Sequence, residues 1–335
     1  MKLNKVLIRV DGNRSIGLGH IYRGIALAEM ICDYFTTFFV LNRQSDVRVL
    51  QEANLDYIKL PKEIKTGEEP EWINKNYSED TLIVLDGYHF DENYQRKIKE
   101  YGFKLVYIDD LVDRKMYADL VINYLPWVSE EDYEHESYTR FALGAEYVIM
   151  RKPFLKVSRQ YREIHNVNRT FVCFGGSDQY DYTFKVVKLL IEIAQIKEIF
   201  VVLGASYNGK AIYFLQTQTP RIKIFRNLSG DDLLKIMIRC NLGIVPASGI
   251  LNELIAVGMP IISGYYTPEQ KLYADRLEKM NLIKNIGDFT NINKGIDFKN
   301  MTIEIINGNK EMVLKQKDYI NGNSSSIILE LFKQL

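Results

Sequence analysis

The stretch "SIGLGHIYRG" (residues 15–24) sets Gly17, Gly19, His20 and Arg23 between the apolar run "VLIRV" and the helical-looking "IALAEMICDYF". Two glycines and a histidine therefore fall where a strand turns into a helix. Histidine, with an unperturbed pKa of about 6.5, is the side chain best suited to exchange a proton near neutral pH. The helix opens with Gly19 and His20, where Ser, Thr, Asn or Asp would ordinarily cap it. Uncapped N–H groups at a helix mouth favour an anionic ligand, and the positive end of the helix dipole favours a neutral, proton-accepting ring. The chemistry to expect is a general base beside an anion; the plainer alternative is a structural, hydrogen-bonded histidine. The spacing is not the dinucleotide fingerprint G-x-G-x-x-G, because Tyr22 stands at the third glycine position and Gly24 comes two residues late.

Other polar residues belong to the same neighbourhood. The strand-like runs "VLIRVDGN", "TLIVLDGYH", "KLVYIDD" and "LVINY" all end in polar residues. In a parallel sheet these carboxyl ends share one edge, outside which ligands bind. That edge would gather Arg9, Asp11, Asp86, Tyr88, Asp109, Asp110 and Asn123 near the glycine turn. Taken singly, a strand-end Asp or Asn more often caps the next helix; four such ends on one edge suggest a site. Asp11 could orient His20 or bind a ligand hydroxyl, and Arg23 could meet a phosphate or be a surface charge.

The second half of the chain offers a diphosphate site. "FVCFGGSD" (171–178) is an apolar strand ending in Gly175, Gly176 and Ser177, and the backbone N–H groups of such a turn can cradle phosphate. In "GIVPASGILNELIAVGMPII" (243–262) a buried strand runs through Ser248 and Gly249 into a helix carrying Asn252 and Glu253. Ser248 and Gly249 would donate to a pyrophosphate, and Glu253 would accept from ribose hydroxyls, unless it only favours its own helix. The segment "IFRNLS" (224–229), with Leu228, could lend backbone groups to a base. "GASYNGKA" (204–211) nearly spells a P-loop but ends in Ala211, without the magnesium-binding hydroxyl, and reads as a surface turn. "IDDLVD" is a poor metal site and the four histidines (20, 89, 135, 165) lack zinc spacing, so neither metal nor cofactor is expected.

The elements that must position these residues alternate throughout. Twelve strand candidates run from "KVLIRV" through "TTFFVL", "YIKL", "TLIVLD", "KLVYID", "DLVIN", "FALG", "RTFVCFGG", "EIFVVLG", "IKIF" and "NLGIVP" to "PIISG", with helical stretches between many of them. The alternation predicts an α/β fold of two Rossmann-like, doubly wound lobes facing a central cleft. Their expected bounds are 1–155 and 165–335, joined through the charged stretch 150–169, with the closing helix "SIILELFKQL" able to return to the first lobe. Lys+Arg and Asp+Glu are 43 each, so no electrostatic pull toward nucleic acid or anionic membrane is expected. No apolar run of about 18 residues predicts a membrane span. The three scattered cysteines, Cys32, Cys173 and Cys240, read as small core residues of a cytoplasmic chain. A monomer is expected.

Together, "IRVDGNRSIGLGHIYR", "VLDGYH", "YIDD", "FGGSD" and "ASGILNELIAVGMPII" resemble, in the same order, the UDP-sugar hydrolases of pseudaminic acid biosynthesis. That family shares the two-lobed GT-B architecture of the lipid II-forming N-acetylglucosaminyltransferase. The resemblance implies metal-independent hydrolysis of UDP-2,4-diacetamido-2,4,6-trideoxy-β-L-altropyranose to free sugar and UDP. It puts the catalytic histidine at His20, the substrate-contacting tyrosine at Tyr88 and the nucleotide-contacting glutamate at Glu253. One position departs: Asp181 stands where the family has asparagine. A carboxylate is unwelcome beside a diphosphate, so Asp181 either faces base or sugar or the nucleotide contacts differ. The alternatives to hydrolysis are a GT-B glycosyltransferase, with an acceptor hydroxyl in place of water, and a non-catalytic sugar-nucleotide-binding protein.

Overall fold

The computed structural model describes residues 5–13, 16–176, 178–204, 207–226, 228–294 and 296–335. The chain forms two units, Met1–Lys152 with Asn323–Leu335, and Pro153–Gly322.

In chain order the first unit contains β1 (Lys5–Val10), α1 (Gly19–Ile31), β2 (Thr36–Leu41), α2 (Arg48–Glu52), β3 (Tyr57–Lys59), α3 (Glu69–Asn76), β4 (Thr81–Asp86), α4 (Glu92–Glu100), β5 (Leu105–Ile108), β6 (Leu120–Asn123) and β7 (Arg140–Leu143). At the unit boundary lies α5 (Lys152–Val157). The second unit continues with β8 (Arg169–Val172), α6 (Tyr182–Leu190), β9 (Glu198–Leu203), α7 (Ala211–Gln218), β10 (Ile222–Arg226), α8 (Gly230–Arg239), β11 (Leu242–Pro246), α9 (Gly249–Val257), β12 (Ile261–Tyr265), α10 (Pro268–Lys279), β13 (Lys284–Asp288), α11 (Ile296–Asn307) and α12 (Lys310–Tyr319). The final helix, α13 (Ser324–Lys333), belongs to the first unit.

Each unit holds one wholly parallel sheet, in the orders β3-β2-β1-β4-β5-β6-β7 and β10-β9-β8-β11-β12-β13. Parallel strands covered on both faces read as unbroken apolar runs, which is why "TLIVLD" is buried at every position. Both orders reverse once, between β1 and β4 and between β8 and β11. These reversals are where a doubly wound sheet opens a crevice.

Helix α1 lies close on the first sheet because of Gly24. A Cβ there would stand 2.9 Å from Phe39 Cε1 and 3.2 Å from Ile8 Cγ2. Ile21, Ile25 and Ala28 are buried on its core face, but Cys32, placed in that stripe by its spacing, is exposed. The helix ends at Ile31, so Cys32 falls just past its end; its Sγ lies 3.2 Å from Lys152 Nζ. Cys173 and Cys240 are buried. Helix α13 packs on α1, with Ser325 Oγ donating to the Met30 carbonyl at 3.2 Å and Phe332 edge-on to Phe35.

Two elements lack a signal in the sequence. The stretch 150–169 carries α5, whose Phe154 and Leu155 are buried despite charged neighbours. Strand β13, "KNIGD", is half-buried along its length and has no apolar run to mark it. No described helix is long and apolar enough to cross a membrane.

The close approach at Gly24 is testable. Gly24→Val should lower stability by about 1–3 kcal/mol through overpacking, read as an earlier first transition in urea. Gly19→Ala should not, since nothing lies within 4 Å of its Cβ position.

Candidate active site

At the first reversal, β1 and β4 run in register to their last residues, with Val10 opposite Asp86. The loops leaving them stand side by side. From the first comes α1, with no side-chain cap and no acidic residue in its first turn. His20 and Arg23, three residues apart, share one face of that helix.

Both reach the carboxylate of Asp86, which is 0% exposed. His20 Nδ1 stands 2.7 Å from Asp86 Oδ1. Arg23 grips the same carboxylate with two prongs, Nε to Oδ2 at 2.8 Å and Nη2 to Oδ1, and sends Nη1 to Asp110 Oδ2 at 3.0 Å. Arg23 Nη2 also lies 3.1 Å from His20 Nδ1. The ring's proton is assigned by the shorter contact: an unprotonated Nδ1 would press a lone pair against the carboxylate oxygen. Nδ1–H therefore donates to Asp86, and the Nε2 lone pair is left without a hydrogen-bond partner among the described residues. The ring is 14% exposed, and Tyr88, 52% exposed, stands edge-on to it with centroids 5.0 Å apart.

Electrostatics follow from this burial. Burial alone would raise the Asp86 carboxyl, but the charge of Arg23, then that of His20, and the hydrogen bonds of both hold it well below the ordinary carboxylate range. Burial also opposes the Arg23 charge, which Asp86 and Asp110 restore and raise. Arg23 is therefore paired with two protein carboxylates and is largely buried.

Arg9 and Asp11 occupy a second buried network. Arg9, 1% exposed, donates from Nε and Nη2 to Glu69 at 2.8 and 3.0 Å, lies 2.7 Å from Asp11 and stacks over Phe90. Asp11 Oδ1 also accepts from the Asn42 amide at 2.6 Å and Ser45 Oγ at 3.0 Å, and Oδ2 faces His89 Nε2 at 3.1 Å. Thus Arg9 faces no ligand surface, and Asp11 orients His89 rather than His20; Asp86 is the orienting group. Asp109 and Asn123 form a separate knot with the Tyr133 hydroxyl. Gly17 takes φ +83° in the loop, where its carbonyl accepts from the Asn13 amide, and Gly19 is the exposed first residue of α1.

The loop carrying Tyr88 is held by residues that no motif in the sequence singled out. Arg114 Nη1 donates to the carbonyls of Tyr88 (2.9 Å) and Phe90 (3.0 Å), and the Tyr107 hydroxyl donates to those of Gly87 and Phe90. Glu69 and Arg114 lie far along the chain from their partners, and only folding brings them together.

At the second reversal, β8 leads to Gly175 (φ +78°) and Gly176; Ser177 lies outside the described residues. The end of β9 packs directly on this turn: a Cβ on Gly204 would stand 2.4 Å from both Gly176 Cα and its carbonyl oxygen. Gly204 opens the segment expected to be a surface turn, yet Tyr207 within it is buried, because its hydroxyl meets Asp181 Oδ1 at 2.5 Å. Asp181 takes a left-handed conformation (φ +52°) ahead of α6, while the Asp178 carboxylate caps the amides of Tyr182 and Thr183, both at 2.9 Å. The mouth of α6 is therefore already filled by an anion. That of α9 has neither a side-chain cap at Ser248 nor an acid in its first turn, which begins at Gly249. Asn252 is buried and accepts the Tyr273 hydroxyl at 2.5 Å, and Glu253 beside it is buried. Leu228 lies half-buried between β10 and α8.

No family model matches the chain. It is 26% identical over 294 residues to an uncharacterized protein of Methanocaldococcus jannaschii, covering 83% of this chain and 59% of that one, so it spans about three fifths of that relative. It is 26% identical over 281 residues to the UDP-2,4-diacetamido-2,4,6-trideoxy-beta-L-altropyranose hydrolase of Campylobacter jejuni, covering 82% of this chain and 96% of the other. It is 24% identical over 286 residues to the spore coat polysaccharide biosynthesis protein SpsG of Bacillus subtilis, 82% of each chain. Among solved structures it is similar to MurG of Acinetobacter baumannii (TM-score 0.68, 12% identity, 99% of this chain and 100% of that one). It is also similar to Anabaena HepE in complex with UDP (TM-score 0.60, 13% identity, 99% and 100%). The fold is α/β, two parallel sheets with flanking helices, and matches GT-B glycosyltransferases.

The buried carboxylate generates a prediction about acid. Because the folded state holds Asp86 below its unfolded value of about 3.9, its contribution is complete above that value and is lost as pH falls through the lower folded one. Wild-type stability should therefore fall steeply below about pH 4. Asp86→Asn should start about 3–5 kcal/mol lower at pH 7 and show a shallower acid limb, as measured by urea unfolding at each pH.

Proposed function

We propose that this protein hydrolyses a UDP-linked diacetamido-trideoxy sugar to the free sugar and UDP, as a step in building a nonulosonic acid of the pseudaminic type. The observation that carries the reading is the His20–Asp86 pair: a ring fixed by a buried carboxylate with its other nitrogen left as an acceptor beside Tyr88. The likeness to the Campylobacter hydrolase over most of both chains supports the same substrate class.

In this mechanism, a water molecule donates one proton to His20 Nε2 as its oxygen attacks the anomeric carbon. The bond from that carbon to the β-phosphate oxygen breaks, its electron pair leaving with UDP. Asp86 keeps the ring in the Nδ1–H form and stabilises the imidazolium that develops, as a buried carboxylate does for the histidine of a serine protease. The ring then returns its proton to solvent. A glycosidase needs a second carboxyl to protonate a poor alkoxide leaving group. A nucleoside diphosphate, whose phosphate ionises near pKa ~6, leaves without one. One base suffices, and no metal is required.

The second unit, taken by itself, carries candidate phosphate-binding groups of its own. The uncapped mouth of α9 at Ser248 and Gly249, and the Gly175–Gly176 turn, offer N–H groups of the kind that hold a phosphate. Glu253 would meet the ribose. Asp181 accepts the Tyr207 hydroxyl, which orients its carboxylate within the second unit.

Two outcomes test the proposal. His20→Asn should lower kcat about 10²–10⁴-fold, the usual worth of general-base help, while the dissociation constant for the nucleotide sugar stays within about threefold; retained UDP release would refute the base role. Wild-type protein given the UDP-sugar alone should release UDP with no acceptor present. Release only on adding an acceptor alcohol would assign glycosyl transfer instead.

A further inference from the structure

The first unit holds a second Arg–Asp–His chain, unused by the mechanism above. Arg9, Asp11 and His89 repeat the order Arg23, Asp86 and His20, with each carboxylate buried between an arginine and an imidazole. The two histidines are mirror cases. His20 turns Nδ1 to its carboxylate; His89 turns Nε2, 3.1 Å from Asp11 Oδ2. The same lone-pair argument puts the His89 proton on Nε2 in the neutral ring and leaves Nδ1 as an acceptor. Nδ1 has no hydrogen-bond partner among the described residues. The ring is 38% exposed and packs at 4.0 Å on Phe90, so it is oriented without being enclosed. A Cβ on Gly87 would lie 3.3 Å from Nδ1, which sets that nitrogen over the backbone where β4 ends. This is the edge of the sheet reversal, and the neighbouring residue, Tyr88, touches His20.

We propose that His89 is a second binding residue of this site, its Nδ1 accepting a hydrogen bond from an amide N–H or hydroxyl of the ligand's sugar. The inference rests on the nucleotide-sugar reading above and deepens it. The run "VLDGYH" ends on His89 but does not say what the ring does, since its orientation comes from Asp11, a residue 78 positions earlier. An acceptor held by a buried carboxylate is pre-organised, and a site built to receive a donor rejects ligands lacking one more strongly than an apolar wall could. His89 would therefore help distinguish amino or hydroxyl sugars from those with a bare carbon at that position.

Two amide substitutions separate recognition from scaffolding. Gln places its amide where Nε2 stands and keeps the bond to Asp11 while giving up the acceptor at Nδ1. Asn keeps a group at Nδ1 and gives up Asp11. Each is made in the full chain carrying His20→Asn, so that ligand is not consumed. Dissociation constants are then measured calorimetrically for UDP, UDP-N-acetylglucosamine and the diacetamido sugar nucleotide.

Expected is that His89→Gln melts with its parent, binds UDP unchanged and binds a nucleotide sugar about tenfold more weakly, the worth of one lost hydrogen bond. His89→Asn should recover part of that loss. If His89→Gln binds the nucleotide sugars as tightly as its parent, His89 only clamps its loop and the inference is overturned. A parent that binds UDP but neither sugar nucleotide also overturns it. A parent that binds none of the three refutes the proposed function itself, and this inference with it.

Discussion

The carboxylate of Asp86 has no contact with solvent, and the edge of the first unit's sheet around it is organised to keep it charged. An isolated charge there would take up a proton rather than bear the cost of desolvation. Arg23 supplies a two-pronged guanidinium and His20 a ring N–H, both delivered by one turn of one helix. Satisfying that carboxylate sets the rotation of α1 about its axis. It also sets the plane and tautomer of the His20 ring and leaves a basic nitrogen facing away from the protein's own charges. The depth at which α1 sits is set separately, by Gly24 against Phe39 and Ile8. The chemistry assigned to His20 is thus a consequence of buried electrostatics plus one glycine's lack of a side chain.

Much of the fold was legible in the sequence because parallel sheets announce themselves. Strands buried on both faces leave apolar runs bounded by turns, as "TLIVLD" does, and every strand but β13 was marked by a short β-like run, "KVLIRV", "TTFFVL" and "TLIVLD" to their end residues. Strand β13 escaped because an edge strand of Lys, Asn, Gly and Asp has nothing to distinguish it from a loop. Helix α5 escaped because its two buried residues, Phe154 and Leu155, are enclosed in a charged stretch broken by Pro153. Cys32 was misassigned by periodicity, which carries the stripe one residue beyond where the helix stops.

The neighbourhood of the candidate site was legible in the sequence, and its wiring less so. The strand-end polar residues do share one sheet edge, since topology alone gathers the ends of β1, β4, β5 and β6. Which carboxylate meets which base depends on side-chain direction, and spacing does not encode that. Asp11 and Asp86 were equivalent candidates as strand-end acids, yet one holds His89 and the other His20. Arg9 and Arg23 pair with buried acids, Arg9 with Asp11 and Glu69 and Arg23 with Asp86, a pairing that their positions in the sequence do not announce. In the second unit Gly204 hid inside a near-miss phosphate motif, and its role is steric: it lets β9 lie against the Gly175–Gly176 turn.

The central claim is that Asp86 holds His20 with its proton on Nδ1 and its lone pair on Nε2. It is tested most directly by long-range nitrogen–proton correlation spectra of the imidazole rings in ¹⁵N-histidine-labelled protein, recorded where the His20 ring is neutral and assigned by comparison with His20→Asn. The account predicts a protonated-type Nδ1 and an unprotonated-type Nε2 for His20, a pattern abolished or mixed in Asp86→Asn. A His20 ring protonated at Nε2 in the wild-type protein would contradict it.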